Sequence, residues 1–147
     1  MNAAEFKKVI GSSLLACGFT KVGSAYFKNS DDVICVVGMQ KASFEAKFYV
    51  EVGYVIRGIH PDLSVPRYVD GDIRTRFSLL AGQKRGDLFD PSALSSEAEL
   101  RQIVNDNVAE LIEGAISESG LKALLARHPT LLYQATLRAK AALGLQE

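Results

Sequence analysis

The sequence predicts an α+β domain in which helices are laid on an antiparallel sheet. Three observations carry that expectation. Residues 33–56, VICVVGMQKASFEAKFYVEVGYVI, read as two long strands. Apolar residues recur at helical spacing both near the N-terminus and beyond Ser96, and the chain order is helix, strands, helices.

Asn2 followed by Glu5 has the spacing of a capping box, in which each side chain satisfies an amide at the helix start. Phe6, Val9, Ile10, Leu14 and Cys17 then define one buried stripe. Gly18 suits the position past the helix end, where a left-handed backbone costs glycine nothing, and Phe19 is placed to pack back on the last turn. Residues 20–29 are expected as a first strand carrying Tyr26 and Phe27, with turn chemistry at Asn29-Ser30-Asp31-Asp32.

The first of the two long strands is apolar on both sides, with Val33, Cys35, Val37 and Met39 on one and Ile34 and Val36 on the other. That suits an interior strand covered on both faces. After a junction at residues 40–43, the second strand points Phe48, Val50, Val52, Tyr54 and Ile56 one way and Lys47, Tyr49, Glu51 and Arg57 the other. Residues 57–71 hold two prolines and two glycines without a period and read as a long connection. A fourth strand is expected over residues 72–80, with Ile73, Thr75, Phe77 and Leu79 on one face and Asp72, Arg74, Arg76 and Ser78 on the other. A loop follows over residues 82–91. The sheet is therefore a meander of about four strands.

From Ser96, which forms a second capping box with Glu99, the period is helical. Leu100, Ile103, Val104, Val108, Leu111, Ile112, Ala115 and Ile116 make a broad apolar stripe, and the helix is expected to stop near Gly120. A short helix over residues 121–127, a restart at Pro129 and a last helix to about Leu143 complete a single domain spanning residues 1–147. Its first part, residues 1–91, is helix plus sheet, and residues 92–147 are helical. The pattern leaves open which face of the sheet the C-terminal helices cover.

Seventeen basic residues balance seventeen acidic ones, so no overall field draws the chain to nucleic acid or an anionic membrane. Cys17 and Cys35 both fall at positions that read as core, as reduced buried thiols. No apolar run approaches the roughly 18 residues of a membrane span, and a signal-peptide core is missing, so a soluble cytoplasmic protein is expected.

Catalytic motifs are poorly represented. His60 and His128 lack metal-ligand spacing to another His or to Cys, and neither a metal nor a cofactor is expected. His60-Pro61-Asp62 matches the tripeptide of the J-domain co-chaperones, but there it joins two helices and here it follows a strand. His128 reads as a residue at a helix junction, bonding a free end group. Asp70-Gly71-Asp72 lacks the further ligands of a calcium loop and reads as a turn. Arg85-Gly86-Asp87 spells an adhesion tripeptide of the kind chance supplies. Seven Phe and five Tyr without a basic stripe make no nucleic-acid platform.

One constellation stands out. If Arg74 and Arg76 lie on a strand beside Tyr49 and Glu51, two guanidinium groups, a carboxylate and a phenol share the polar face of the sheet, with Gln40 near one edge. Such a face suits an anion or a partner, since guanidinium forks grip carboxylates and phosphates. The competing reading is a structural ion-pair cluster, with Arg and Glu51 paired under the C-terminal helices, or a solvated sheet face.

Several short stretches occur in a fixed order over roughly residues 5–89: Gly18-Phe19 after an amphipathic helix, Tyr26-Phe27-Lys28, and Gln40-Lys41 ending a strand. Phe48-Tyr49-Val50-Glu51-Val52-Gly53, Ile73-Arg74-Thr75-Arg76, and Leu79-Leu80 through Gly82 follow. Together they resemble the bacterial family catalogued as domain of unknown function 4304. The resemblance implies a compact bacterial α+β domain with no assigned activity and no catalytic residues to carry over. It directs attention to Gln40, Arg74 and Arg76. Members of that family tend to have tryptophan where this chain reads Asp87-Leu88-Phe89, and this chain has no Trp.

The expected function is accordingly a non-enzymatic module that docks a protein partner, as adaptor or immunity proteins do, an expectation that rests on analogy. The alternative is a small-ligand-binding or hydrolytic enzyme with its site on Arg74, Arg76, Glu51 and Tyr49. A third is a homodimer through the sheet or the C-terminal helix.

Overall fold

The structure, a computed structural model, describes residues 1–62, 66–79 and 86–145. Asn2 starts the first helix by accepting the Glu5 N–H at 2.8 Å, which is the Asn2 half of the expected capping pair. Helix α1 spans Ala3–Ala16 and buries Phe6, Val9, Ile10 and Leu14. It ends as expected at Gly18, whose φ of +91° turns the chain so that Phe19 N–H donates to the Leu14 carbonyl at 3.1 Å. Cys17 departs from expectation: as the last residue before the turn it is only half-buried, with its Sγ 3.4 Å from Asn105 Oδ1. Cys35 is fully buried, and burial pushes its thiol up to about 12 against the opposing charge of Lys28.

Among the described residues the sheet has six strands where about four were expected. Residues 20–29 fold back on themselves at Gly23, φ +61°, giving β1 (Thr20–Val22) and β2 (Ala25–Asn29). β3 (Val33–Lys41) and β4 (Phe48–Ile56) form the long pair, and β5 (Ile73–Arg76) is the core of the expected fourth strand. Pairing continues a residue past each end of β5, where Asp72 N–H donates to the Tyr54 carbonyl and Phe77 N–H to the Val50 carbonyl. Leu80, at the end of that expected strand, lies outside the described residues. In the stretch read as loop, Leu88–Phe89 forms β6, which pairs with β4 at Phe48 and Tyr49 on the same side as β5. All pairings are antiparallel, in the meander order β1-β2-β3-β4-β5.

Among the described residues the α-helices all cover one face. Val33, Cys35, Val37, Val50, Val52, Tyr54 and Ile56 join Phe6, Val9 and Leu14 of α1 and the apolar stripe beyond Ser96 in one core. Phe6 stacks on Phe48 at 5.2 Å and meets Phe89 at 5.9 Å. The other face carries a small cluster, Phe27, Ile34, Val36 and Val55, against which only partly buried Ala25 and Tyr68 pack. Cover on both sides of β3, as its apolar pattern requires, thus comes from helices on one side and, among the described residues, from the segment around Tyr68 on the other.

Helix α2 spans Glu97–Val108, and Ser96 caps it by accepting the Glu99 N–H at 3.1 Å. The returning Glu99 carboxylate takes Ser95 N–H at 2.8 Å, so the expected reciprocal pair is offset by one residue. A π-helical turn over Ala109–Glu113 follows, and its Leu111 carbonyl receives the buried Tyr54 hydroxyl at 2.5 Å. The expected stop near Gly120 falls earlier. Ser117 caps a new helix, α3 (Glu118–Arg127), by accepting Gly120 N–H at 3.0 Å. Gly120 therefore sits in the first turn of α3, where a Cβ would lie 1.8 Å from the Gly114 carbonyl oxygen. His128 does end a helix, but its Nε2 bonds the Glu110 carboxylate at 2.6 Å in place of a backbone end group. The single last helix is divided into a 3-10 turn at Pro129–Gln134 and α4 (Leu137–Ala142), because Ala135 leaves the helical path to bridge Ile73.

Asp72, at 4% exposure, fastens three segments. Its Oδ2 accepts the Ile56 N–H at 2.8 Å, its Oδ1 meets His60 Nε2 at 2.7 Å, and its carbonyl accepts Thr136 N–H at 2.9 Å. Asp72→Ala leaves the Ile56 amide and the His60 ring unpartnered and is expected to remove about 2–4 kcal/mol of stability. Urea unfolding measures this, and a loss below about 1 kcal/mol would show that the fastening is redundant. In the folded protein Cys35 is expected to be silent to a thiol-specific reagent at neutral pH and to react only on unfolding. Modification of both thiols without loss of structure would contradict the packing.

Candidate functional site

The polar face is built by strand register. Pairing sets Glu51 opposite Arg76, Gly53 opposite Arg74 and Gln40 opposite Tyr49. Side chains of directly paired residues point to the same side of a sheet. Gln40, Tyr49, Glu51, Arg74 and Arg76 therefore all lie on the face that the helices leave uncovered.

Within that group the contacts are uneven. Arg76 is held from several directions: its Nε donates to Glu51 Oε1 at 2.9 Å, its Nη1 to Asp87 Oδ2 at 3.1 Å, and its guanidinium carbon lies 3.9 Å from the Tyr49 ring centre. Burial works against the Arg76 charge, but the hydrogen bond to Asp87 and the pairing with Glu51 outweigh it, so its pKa is raised. Arg74 does not join this cluster. Opposite Gly53 it has no side chain to pair with, and among the described residues no carboxylate reaches it. Of the two arginines expected to share this face with Glu51, both lie on it but Arg76 alone, among the described residues, is paired with that carboxylate. The pairing occurs away from the C-terminal helices, on the face opposite to them.

The connection over residues 57–71 contains structure that its composition concealed. Tyr68–Asp70 form a 3-10 turn, begun where the Asp70 carboxylate accepts the Arg67 N–H at 2.8 Å. This segment lies across the sheet as a strap, and two strand glycines make room for it. A Cβ on Gly53 would lie 2.5 Å from the Tyr68 carbonyl oxygen, and one on Gly38 would lie 2.7 Å from the Tyr68 ring. A glycine inside a strand commonly marks such a close approach.

Between the strap and the Arg76 cluster lies a cleft of about 580 Å³. Gln40, Glu51, Arg74 and Arg76 line it, Tyr68 and Val69 of the strap flank it, and Asp87 and Gln134 close it. Tyr49 is not part of the lining; it supports Arg76. A smaller hollow of about 240 Å³ beside Gly38, Met39 and Arg67 also borders on Tyr68 and Val69. Tyr68, Asp87 and Gln134 were missed in the sequence. The glycines at 38 and 53 were the available signal for Tyr68, and Asp87 and Gln134 arrive through tertiary contacts that no local pattern records.

The histidines lie elsewhere, His60 with Asp72 and His128 with Glu110. Among the described residues, no group of three or more His, Cys, Asp or Glu side chains is placed to hold a metal ion. No helix among them is long and apolar enough to cross a membrane.

Gly53→Ala forces the strap backbone away from the sheet and is expected to cost about 1–3 kcal/mol. Gly58→Ala, with nothing within 4 Å of the new methyl group, serves as the control and is expected to stay within about 0.5 kcal/mol of the parent. Thermal or urea unfolding of both variants decides, and equal stabilities would mean that the strap is not seated on the sheet.

Neither a curated protein nor a solved structure matches this chain. A family model does, over residues 10–124, a span that contains the whole sheet, the strap and every lining residue of the cleft except Gln134. On that match the chain belongs to the family described as Domain of unknown function (DUF4304).

Proposed function

We propose that the domain is a non-catalytic protein-docking module, adaptor- or immunity-like, that presents the open sheet face around Arg74 to a partner. One observation carries this reading. Both carboxylates in the cleft, Glu51 and Asp87, are engaged by Arg76, whereas Arg74 faces the cleft with no carboxylate partner among the described residues. A catalytic acid, base or nucleophile needs a group free to meet its substrate. A docking face needs a rigid platform with an unsatisfied group on it, and Arg is among the residues that most often anchor interfaces. The strap and the Tyr49–Arg76 stack supply the rigidity. The bacterial cytoplasm is the setting we propose, supported by the balanced charge and the two free cysteines.

A second reading, a small-ligand site, is favoured by the cleft volume of about 580 Å³, which falls within the range typical of ligand pockets.

Affinity capture from lysate of the host cell separates the two. The wild-type bait is expected to retain a stoichiometric partner. Arg74→Glu is expected to reduce its recovery at least about tenfold, and Lys122→Glu on the exposed side of α3 is expected to leave it unchanged. Melting temperatures first establish that both baits are folded. A partner recovered equally by all three baits would move the docking surface elsewhere, and no partner at all would leave the small-ligand reading.

A further inference from the structure

We infer that the cleft beside the strap is a receptor for a single carboxylate group, carried by an acidic side chain of the docked partner. This rests on the docking reading and specifies what the cleft recognises. Three polar side chains that converge on the cleft have their hydrogen-bonding capacity unused among the described residues: Arg74, Gln40 and Gln134. Arg74 supplies a positive fork, which matches the two oxygens of a carboxylate. The two amides supply neutral donors that add directionality without adding charge.

The acidic wall sets the limit on the ligand's charge. Glu51 and Asp87 line the same cleft and together outweigh the one charge of Arg76. Arg74 balances the remaining negative charge, so the lining is neutral overall and its polarity runs from Arg74 towards Asp87. A monoanion seated at Arg74 meets an attractive field. A phosphate dianion or a nucleic-acid strand brings additional negative charge against Glu51 and Asp87 and is disfavoured. Arg76, locked on Tyr49 and doubly bonded, acts as a spacer that keeps the acidic wall in place.

The probes are a capped tripeptide with a central glutamate, the same tripeptide with glutamine, and inorganic phosphate, each titrated at constant ionic strength into the isotopically labelled full chain and followed by NMR. The glutamate peptide is expected to shift the Arg74 side-chain resonance, the side-chain amides of Gln40 and Gln134, and the Gly53 backbone amide in a saturable way. The glutamine peptide is expected to leave them unmoved, and phosphate is expected to bind more weakly than the glutamate peptide. Arg74→Gln, at an exposed position where folding is not at risk, is expected to abolish the response, and Gln40→Ala to weaken it. Equal shifts with both peptides, a response retained in Arg74→Gln, or tighter binding of phosphate would each overturn the assignment. A partner captured through Arg74 with no response to the glutamate peptide would end this inference while leaving the docking module standing. A carboxylate response without any captured partner would end the docking reading and, with it, the assignment of that carboxylate to a partner's side chain.

Discussion

The β3–β4 register is the constraint on which the rest of the molecule depends. From Val33 opposite Ile56 to Lys41 opposite Phe48 the two strands pair without a bulge. Because side chains alternate with a period of two, a slip of a single residue would send Glu51 into the helical core and Val50 and Val52 to the open face. The burial of Val50, Val52, Tyr54 and Ile56 against Phe6 and the stripe of α2 makes that slip prohibitive. The cost of misplacing apolar residues on one face therefore fixes the positions of the polar residues on the other.

The two faces reach their cover by different means. On the helical side, apolar area does the work, with Tyr54 adding a hydrogen bond to Leu111 at the π-helical turn. Asn107 performs a comparable task. Buried at 1% exposure on the α2 stripe, it accepts Ser78 N–H at 3.0 Å and donates to the Ser78 carbonyl at 2.9 Å, so its amide group stands in for a missing strand. On the other side the cover is backbone. The strap touches the sheet through the main chain and ring of Tyr68, and the absent side chains of Gly38 and Gly53 determine how close it comes. A cleft remains because the strap is narrower than the sheet it crosses.

Much of the architecture was legible in the sequence, since it rests on periodicity. The stripe of α1, the alternation of β4, the αL glycine at 18 and the α+β order all follow from local spacing. Boundaries were harder wherever a glycine had two readings. Gly120 resembled a helix end but serves close contact with Gly114, and the Gly23 turn was absorbed into one strand that is in fact a hairpin. The grouping of Gln40, Tyr49, Glu51 and Arg76 on one face was also legible, because alternation decides it. The isolation of Arg74 was not, because it depends on the residue opposite being a glycine and on Glu51 and Asp87 both turning to Arg76. The strap, in turn, is formed by a segment whose composition carries no period.

The one-sided placement of the helices has a consequence for how the chain assembles. Helix α1 is made before the sheet and α2, yet the layer beside it is completed by α2. Arg101 Nη1 lies 3.3 Å from Ser13 Oγ, Cys17 Sγ reaches Asn105, and the N-terminal ammonium group donates to the Pro91 carbonyl at 3.2 Å. During synthesis the strands can pair as they emerge, but their apolar face stays incompletely covered until residues beyond 100 have left the ribosome. Contacts so distant in sequence are slow to form, and they leave the half-made sheet exposed in the meantime. The apolar face of the sheet thus depends for its cover on residues that follow it in the chain, and the first ninety or so residues alone hold only α1 to lay against it.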